Sequence, residues 1–371
     1  VSAIEPSSEP PTRDRNAAGT AYLVDVALGV AIVLLLLELA ASMARPRWHF
    51  PFDRFESAEE VLLRLRSIPP SQPYVLVMGD SVMVDGALRR AGVPDAKECS
   101  ISVLLSRLLQ QKAPDSSVVS LAMEGALSDD YAAILRLVEM HHRLPAAVML
   151  QVDYRLLSPV NDSPALSRDW LRPYGGGGAG SSGTAGYQPA AKIVRPIDAF
   201  VREHLLFDSN LYLLLRGGRR LLRERVLGAL TERSGVPPPE DDAVLRLLVA
   251  RYYQSPLPLT EGRPVLVVER IIDHLLERNV PVLICFTPVN FEFLGDRINA
   301  PMYQFNVNEF RERLHARYQS DPRFRLAVFE DAVPTPLFLD HTHFNAAGNE
   351  LLARMMAREF EMLWLHHQRR T

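Results

Sequence analysis

The chain has 371 residues, 47% of them hydrophobic, with 41 Lys+Arg against 44 Asp+Glu. That length suits one large domain or two small ones with a substantial core, and a formal charge of −3 argues against a general nucleic-acid binder, which carries a basic excess. Two cysteines, Cys99 and Cys285, exclude a disulfide scaffold and a cysteine-built zinc site; Cys285 lies in an apolar run and reads as core.

Residues 1–20 are rich in Pro, Ser and charge and read as a disordered tail. Tyr22–Met43 (YLVDVALGVAIVLLLLELAASM) is long enough to cross a bilayer, which takes about 20 residues. Its charges, Asp25 and Glu38, sit toward the ends, where they reach the headgroups. Ser42-Met43-Ala44 resembles a signal-peptide cleavage site, but the polar leader is long and its acids dilute a positive n-region. These criteria favour an uncleaved single-pass anchor over residues 21–44. Arg13 and Arg15 precede it and Arg45, Arg47 and Arg54 follow, a count that on its own leans toward a cytoplasmic body. Residues 45–72 form a linker with a helical stretch at Ala58–Arg66.

The domain proper is expected over residues 73–371. Five apolar runs, Tyr74–Gly79, Ser117–Ala122, Ala146–Val152, Pro281–Thr287 and Phe324–Glu330, are continuously apolar rather than alternating, as in strands buried on both faces. Helical patterns lie between them at Cys99–Lys112, Asp129–His142, Pro264–Arg278 and Val307–Tyr318. The alternation predicts an α/β fold, a three-layer α/β/α sandwich around a five-stranded parallel sheet with right-handed crossovers. A helical insertion is expected at residues 155–260. It contains a flexible tract, Gly175–Gly186, and a helical pattern, Asn210–Leu230, with Arg216, Arg219, Arg220, Arg223 and Arg225 among leucines. Those arginines read as a solvated basic face or as a membrane-surface helix.

Catalytic groups in such sheets gather beyond the carboxyl ends of the strands. The first strand ends in Gly79-Asp80-Ser81, and the fifth runs into Asp340-His341-Thr342-His343, so both motifs fall on one sheet edge. A serine hydroxyl is a poor nucleophile until a base takes its proton. His343 can be that base, and Asp340, three residues earlier, can fix its tautomer and stabilise the imidazolium. Other readings stand beside these: Ser81 as a helix N-cap, Asp80 as a turn support, His341 as a competing base. Asp340 with His341 and His343 could also open a metal site, but no further histidine cluster supplies ligands, and neither metal nor cofactor is expected.

Gly79-Asp80-Ser81 after an apolar strand and Asp340-x-x-His343 before a C-terminal helix resemble the SGNH (GDSL-like) hydrolase superfamily. The stretch Phe338–Ala353 (FLDHTHFNAAGNELLA) is similar to that family's closing block. The resemblance covers Tyr74–Asp153 and Pro281–Phe360. It implies the flavodoxin-like α/β/α fold, a Ser81-His343-Asp340 triad, and an oxyanion hole built from the N–H groups of Ser81 and Gly125. Where the family carries an oxyanion asparagine, Asp153 stands, and a carboxylate there would repel an oxyanion. Asn161 could substitute if its loop folds back, and Asp153 and Asn290 are candidate substrate contacts.

The layout is also similar to the membrane-tethered SGNH proteins of bacterial envelope acylation, of the alginate O-acetylation and teichoic-acid D-alanylation type. That resemblance implies a single-pass protein of the cell membrane with an extracytoplasmic catalytic domain. It further implies an ester-bearing polysaccharide substrate and a multi-spanning acyltransferase as partner. The alternative expectation is a catalytically weak SGNH-fold envelope protein that binds glycan or such a partner.

Overall fold

In the computed structural model five strands, β1 (Tyr74–Gly79), β2 (Ser117–Ala122), β3 (Ala147–Val152), β4 (Val282–Phe286) and β5 (Phe324–Val328), pair in parallel in the order β2-β1-β3-β4-β5. The structure describes residues 58–69, 71–161, 166–175, 245, 246, 249, 251–253 and 259–368, together with Gly29, Ile32, Val33 and Leu36. The expected tail, nearly all of the 21–44 anchor, the Gly175–Gly186 tract beyond its first residue and the Asn210–Leu230 helix lie outside the described residues. The chain divides into two compact units, residues 51–183 with 229–371 and residues 1–50 with 184–228, and the sheet belongs to the first. In the second, the four described residues are helical and exposed. Among the described residues no helix is long and apolar enough to cross a membrane.

Strand periodicity sends alternate side chains to opposite faces. Tyr74, Leu76 and Met78 join one buried cluster, and Val75 and Val77 another. On the first face pack α1 (Ala58–Arg66), α4 (Ser128–His141), α6 (Arg263–Glu277) and α8 (Ala300–Tyr318); on the second pack α3 (Ile101–Lys112) and α9 (Ala346–Gln368). Three short helices, α2 (Gly86–Arg90), α5 (Tyr154–Leu157) and α7 (Phe291–Leu294), follow the exits of β1, β3 and β4. The three-layer α/β/α arrangement is thus present.

Two expectations need correction. Only β1, β3 and β4 are buried along their whole length; β5 is an edge strand, with Phe324, Arg325, Leu326 and Val328 half-buried. An edge strand has a neighbour on one side only, so it admits Arg325, whose Nε donates to Glu359 of α9 at 2.5 Å. The helix read from Val307 starts at Ala300 instead. Asn299 caps it by accepting from the Met302 N–H, and Pro301 occupies its first turn, where a missing N–H costs nothing.

The strand order reverses between β2-β1 and β3-β4-β5. The exits of β2 and β3 therefore flank the exit of β1, which is where such sheets bind ligands.

Candidate active site

β1 ends in a tightly held turn. A Cβ on Gly79 would lie 2.3 Å from Met83 Cγ and 3.1 Å from Gln151 Oε1, so the position accepts only glycine without a shift. The next peptide N–H, that of Asp80, donates to Gln151 Oε1 at 2.8 Å, and Gln151 Nε2 donates to Thr287 Oγ1 at 3.0 Å. One buried amide thereby ties together the exits of β1, β3 and β4. Asp80 is fully buried and its Oδ1 accepts the Val82 N–H at 2.9 Å, as a turn support does. Ser81 caps no helix, because the following one begins after Asp85. Its side chain is left half-buried at the sheet edge.

The Asp340–His343 loop is closed from below. Phe338 and Phe344 form an antiparallel bridge with ring centroids 4.6 Å apart, and the Leu339 N–H donates to His343 O at 2.7 Å. Asn345 then opens α9, its Oδ1 accepting the Gly348 N–H at 3.0 Å. Within the loop Asp340 Oδ1 accepts the N–H groups of Thr342 and His343 at 2.8 and 2.7 Å. Its Oδ2 lies 2.7 Å from His343 Nδ1, and His343 Nε2 lies 3.1 Å from Ser81 Oγ. Three residues from opposite ends of the domain thus form one hydrogen-bonded chain.

The electrostatics of this chain follow from its contacts. Burial alone would raise Asp340, but the His343 hydrogen bond and charge, His341 and the Thr342 N–H hold it well below the usual carboxylate range. Burial would lower His343, yet the Asp340 hydrogen bond and the charges of Asp340 and Asp80 raise it above its ordinary 6.5. His341 moves the other way. It is half-buried, its buried Nδ1 lies 3.9 Å from Asp340 Oδ1 without a described partner, and desolvation lowers it. His341 meets Tyr253 edge-on, with centroids 6.0 Å apart. Of the two histidines, only His343 contacts Ser81.

The neighbouring exits supply the rest. Gly125, after β2, has φ +70, a left-handed conformation that favours glycine. Among the described residues neither the Ser81 nor the Gly125 amide has a hydrogen-bond acceptor. The Gly125 loop is latched by Arg168, which donates to Glu124 O at 2.9 Å, and by Asp130, which accepts the N–H groups of Leu127 and Ser167. Asp153, after β3, is buried and caps α5 by accepting the Leu156 N–H at 2.7 Å. Burial and the Asp80 charge push its carboxyl up to about 7, against the lowering influence of Arg155. Arg155 Nη2 donates to Asp80 Oδ2 at 3.1 Å, and its Nε lies 3.9 Å from Asp153 Oδ2.

Two candidate residues are engaged elsewhere. The Asn161 Nδ2 donates to Arg155 O at 2.8 Å, which braces the α5 turn and commits one of its two N–H groups. Asn290 is buried and caps α7 by accepting the Phe293 N–H at 3.0 Å, while its own N–H donates to His341 O. Through that backbone bond it ties the β4 exit to the histidine loop.

Sequence reasoning missed Gln151, Arg155 and Tyr253. Arg155 carried one usable signal, a cation three residues beyond a buried strand that exits at the site. Tyr253, from the end of the insertion, carried none. It is 1% exposed, its Oη has no described partner, and its ring stacks on Tyr154 at 5.4 Å.

No protein-family model matches this chain, and no curated protein does. Solved structures overlap it weakly. A carbohydrate acetylesterase family member from Sinorhizobium meliloti is 15% identical, with a TM-score of 0.34, covering 78% of this chain and 98% of that one. An acetylxylan esterase from Geobacillus stearothermophilus, solved as a catalytic mutant, is 15% identical with a TM-score of 0.33, covering 80% and 95%. The C-terminal catalytic domain of peptidoglycan O-acetyltransferase A from Streptococcus pneumoniae is 11% identical with a TM-score of 0.31, covering 79% and 95%. Likeness this slight leaves the reading of this chain to its own side chains.

Proposed function

We propose that this chain is a membrane-anchored serine esterase or O-acyltransferase of the SGNH type, with Ser81 as nucleophile, His343 as general base and acid, and Asp340 as its orienting carboxylate. The observation that carries this is the unbroken relay from Asp340 Oδ2 through His343 to Ser81 Oγ, at 2.7 and 3.1 Å. In the first step Ser81 Oγ bonds to the ester carbonyl carbon, its proton passes to His343 Nε2, and the carbonyl π pair moves onto oxygen. Collapse breaks the bond to the leaving alkoxide, which takes the proton from His343 and leaves an acyl-Ser81. A water or a glycan hydroxyl then repeats the sequence in reverse, with its proton held by His343. The amides of Ser81 and Gly125 are the oxyanion donors.

Water gives an esterase and a sugar hydroxyl gives an acyltransferase; the outcome depends on which the site holds and excludes. The resemblance of the overall layout favours a cell-envelope polysaccharide as the acyl acceptor or donor, residues 21–44 as the anchor, an extracytoplasmic domain and a multi-spanning acyltransferase as partner. Ile32, Val33 and Leu36, helical with large exposed apolar side chains, are consistent with an anchor.

The test is intact-mass detection of a fluorophosphonate adduct on the full chain in detergent, with Ser81→Ala and His343→Ala beside it. The probe bonds stably to an activated serine. One adduct, lost in both variants, is the expected result. A folded wild-type protein that takes up no probe would overturn catalysis and favour a glycan- or partner-binding protein with the same fold.

A further inference from the structure

Ser81 stands between two lateral walls, since β1 lies between β2 and β3. The β2 wall offers the Gly125 amide. On the β3 wall Asp153 has no side-chain N–H to offer as an asparagine would, and its Oδ1 caps α5. What projects from that wall is Arg155. Its guanidinium lies against Asp80, the residue before Ser81, through the 3.1 Å contact from Nη2. The side chain is 25% exposed, whereas that of Asp80 is fully buried. A guanidinium has five N–H groups, and among the described residues only the Nη2 contact to Asp80 is a hydrogen bond; the approach of Nε to Asp153 at 3.9 Å is too long for one. Donors therefore remain on a cation that Asp80 and Asp153 hold in place at the strand exit. A donor aimed at developing charge from a fixed, partly desolvated position gives far more than the same donor in water.

We infer that Arg155 is the side-chain oxyanion donor of this site: a guanidinium N–H bonds the substrate's carbonyl oxygen as negative charge forms on it, in the place where related sites use an asparagine amide. The two acidic neighbours are then positioning residues. They hold the guanidinium at the β3 exit and offset part of its charge. The inference rests on the esterase reading above.

The experiment compares p-nitrophenyl acetate hydrolysis by the full chain in detergent with that of a paired Arg155→Met, Asp153→Ala variant, in which neither new side chain can donate a hydrogen bond. The pairing removes a carboxylate along with the cation, so that Asp80 and Asp153 are not left together unneutralised. Active sites are counted by the endpoint of fluorophosphonate labelling, and folding is followed by thermal unfolding. The expected result is a kcat per active site lower by about 10²–10³-fold, the usual loss of one oxyanion donor, with KM little changed, as for an interaction made only in the transition state. A merely neutralising role predicts a lower unfolding temperature with kcat per site intact, and that result overturns the inference while leaving the esterase reading standing. A wild-type protein that neither turns over nor labels takes down both. If the paired variant fails to fold, the single Arg155→Lys change decides. It keeps the positive charge beside Asp80 but lacks the planar fork, so a kcat within about 10²-fold of wild type would overturn the inference and a larger fall, that of one lost oxyanion donor, would support it.

Discussion

On the β5 side of Ser81 a single carboxylate, Asp340, accepts two backbone N–H groups and one imidazole, and is held well below the usual carboxylate range. On the β3 side two carboxylates, Asp80 and Asp153, share one guanidinium, and Asp153 is pushed up to about 7 by burial and its acidic neighbour. The same side chain is thus a fixed anion in one place and a group near its titration point in the other. The difference lies in the partners, donors and imidazoles around Asp340 against burial beside a second carboxylate for Asp153. Asp340 has three donors for two oxygens, which keeps it ionised and makes it a reliable partner for an imidazolium. Asp153 has one N–H and a distant Arg155, so its charge is poorly compensated. The contrast leaves a fixed anion against an imidazole on the β5 side and two crowded carboxylates around one guanidinium on the β3 side.

Breaking the β5 side should have the largest effects. Ser81→Ala or His343→Ala is expected to lower kcat by about 10⁶-fold, because members of such a relay fail together. Turnover of p-nitrophenyl acetate and loss of the fluorophosphonate adduct check it. Asp340→Asn should keep the loop but present the wrong hydrogen-bonding partner to His343 Nδ1, for a loss of about 10⁴-fold. A loss under tenfold would mean that Asp340 only shapes the turn. For wild type, His343 must be neutral to accept the Ser81 proton, and its raised titration point places the rise in kcat/KM above pH 6.5. In the Asp340→Asn variant that rise should move to lower pH, since the group that raises His343 has gone.

Much of this was legible because it is written in local pattern. Continuous apolar runs marked the strands, with β1 and β2 at their observed limits, since a run of buried side chains ends where the chain must meet solvent. Ser81, Asp340 and His343 were placed on one sheet edge from their positions after β1 and β5. The Ala300 start of α8 was missed because its face is weakly segregated: Asn306 is buried, bonded to Tyr154 Oη at 2.8 Å, while Phe305 is exposed. A helix that buries an asparagine and exposes a phenylalanine hides its own period. Gln151 and Arg155 escaped for a different reason. Their roles come from contacts between strand exits, and a pairing such as Arg155 with Asp80 has no spacing rule in the sequence. Asp153 was singled out as an obstacle to an oxyanion, whereas its visible work is to cap α5 and steady Arg155.

A smaller effect separates the two histidines of the loop. His341 is 3.9 Å from Asp340, contributes no described hydrogen bond through Nδ1, and is lowered by burial, so it is neutral and uninvolved in the relay. His341→Phe should preserve the edge contact with Tyr253 and leave labelling and kcat close to wild type. It removes a buried ring nitrogen that lacks a partner, so the unfolding temperature should hold or rise. Loss of labelling on the scale of His343→Ala would reassign the base.

The smallest expected effect tests the β3 side through its pH dependence. Asp153 binds its proton more tightly when folded than when unfolded, because its folded titration point is raised. The stability this contributes is present at low pH, below the ordinary carboxylate value, and is lost as pH rises through about 7. Asn at this position keeps the cap on α5, since Asn and Asp cap equally well, and cannot ionise. Asp153→Asn should therefore match wild type in acid and become progressively more stable than wild type as pH rises from the ordinary carboxylate value of 3.8 to about 7, read as a gap in unfolding temperature that widens over that range and is level above it. A gap that stays constant with pH would show that Asp153 is ionised throughout and fully compensated by Arg155. The β3 side would then hold its guanidinium by charge as firmly as the β5 side holds its imidazole.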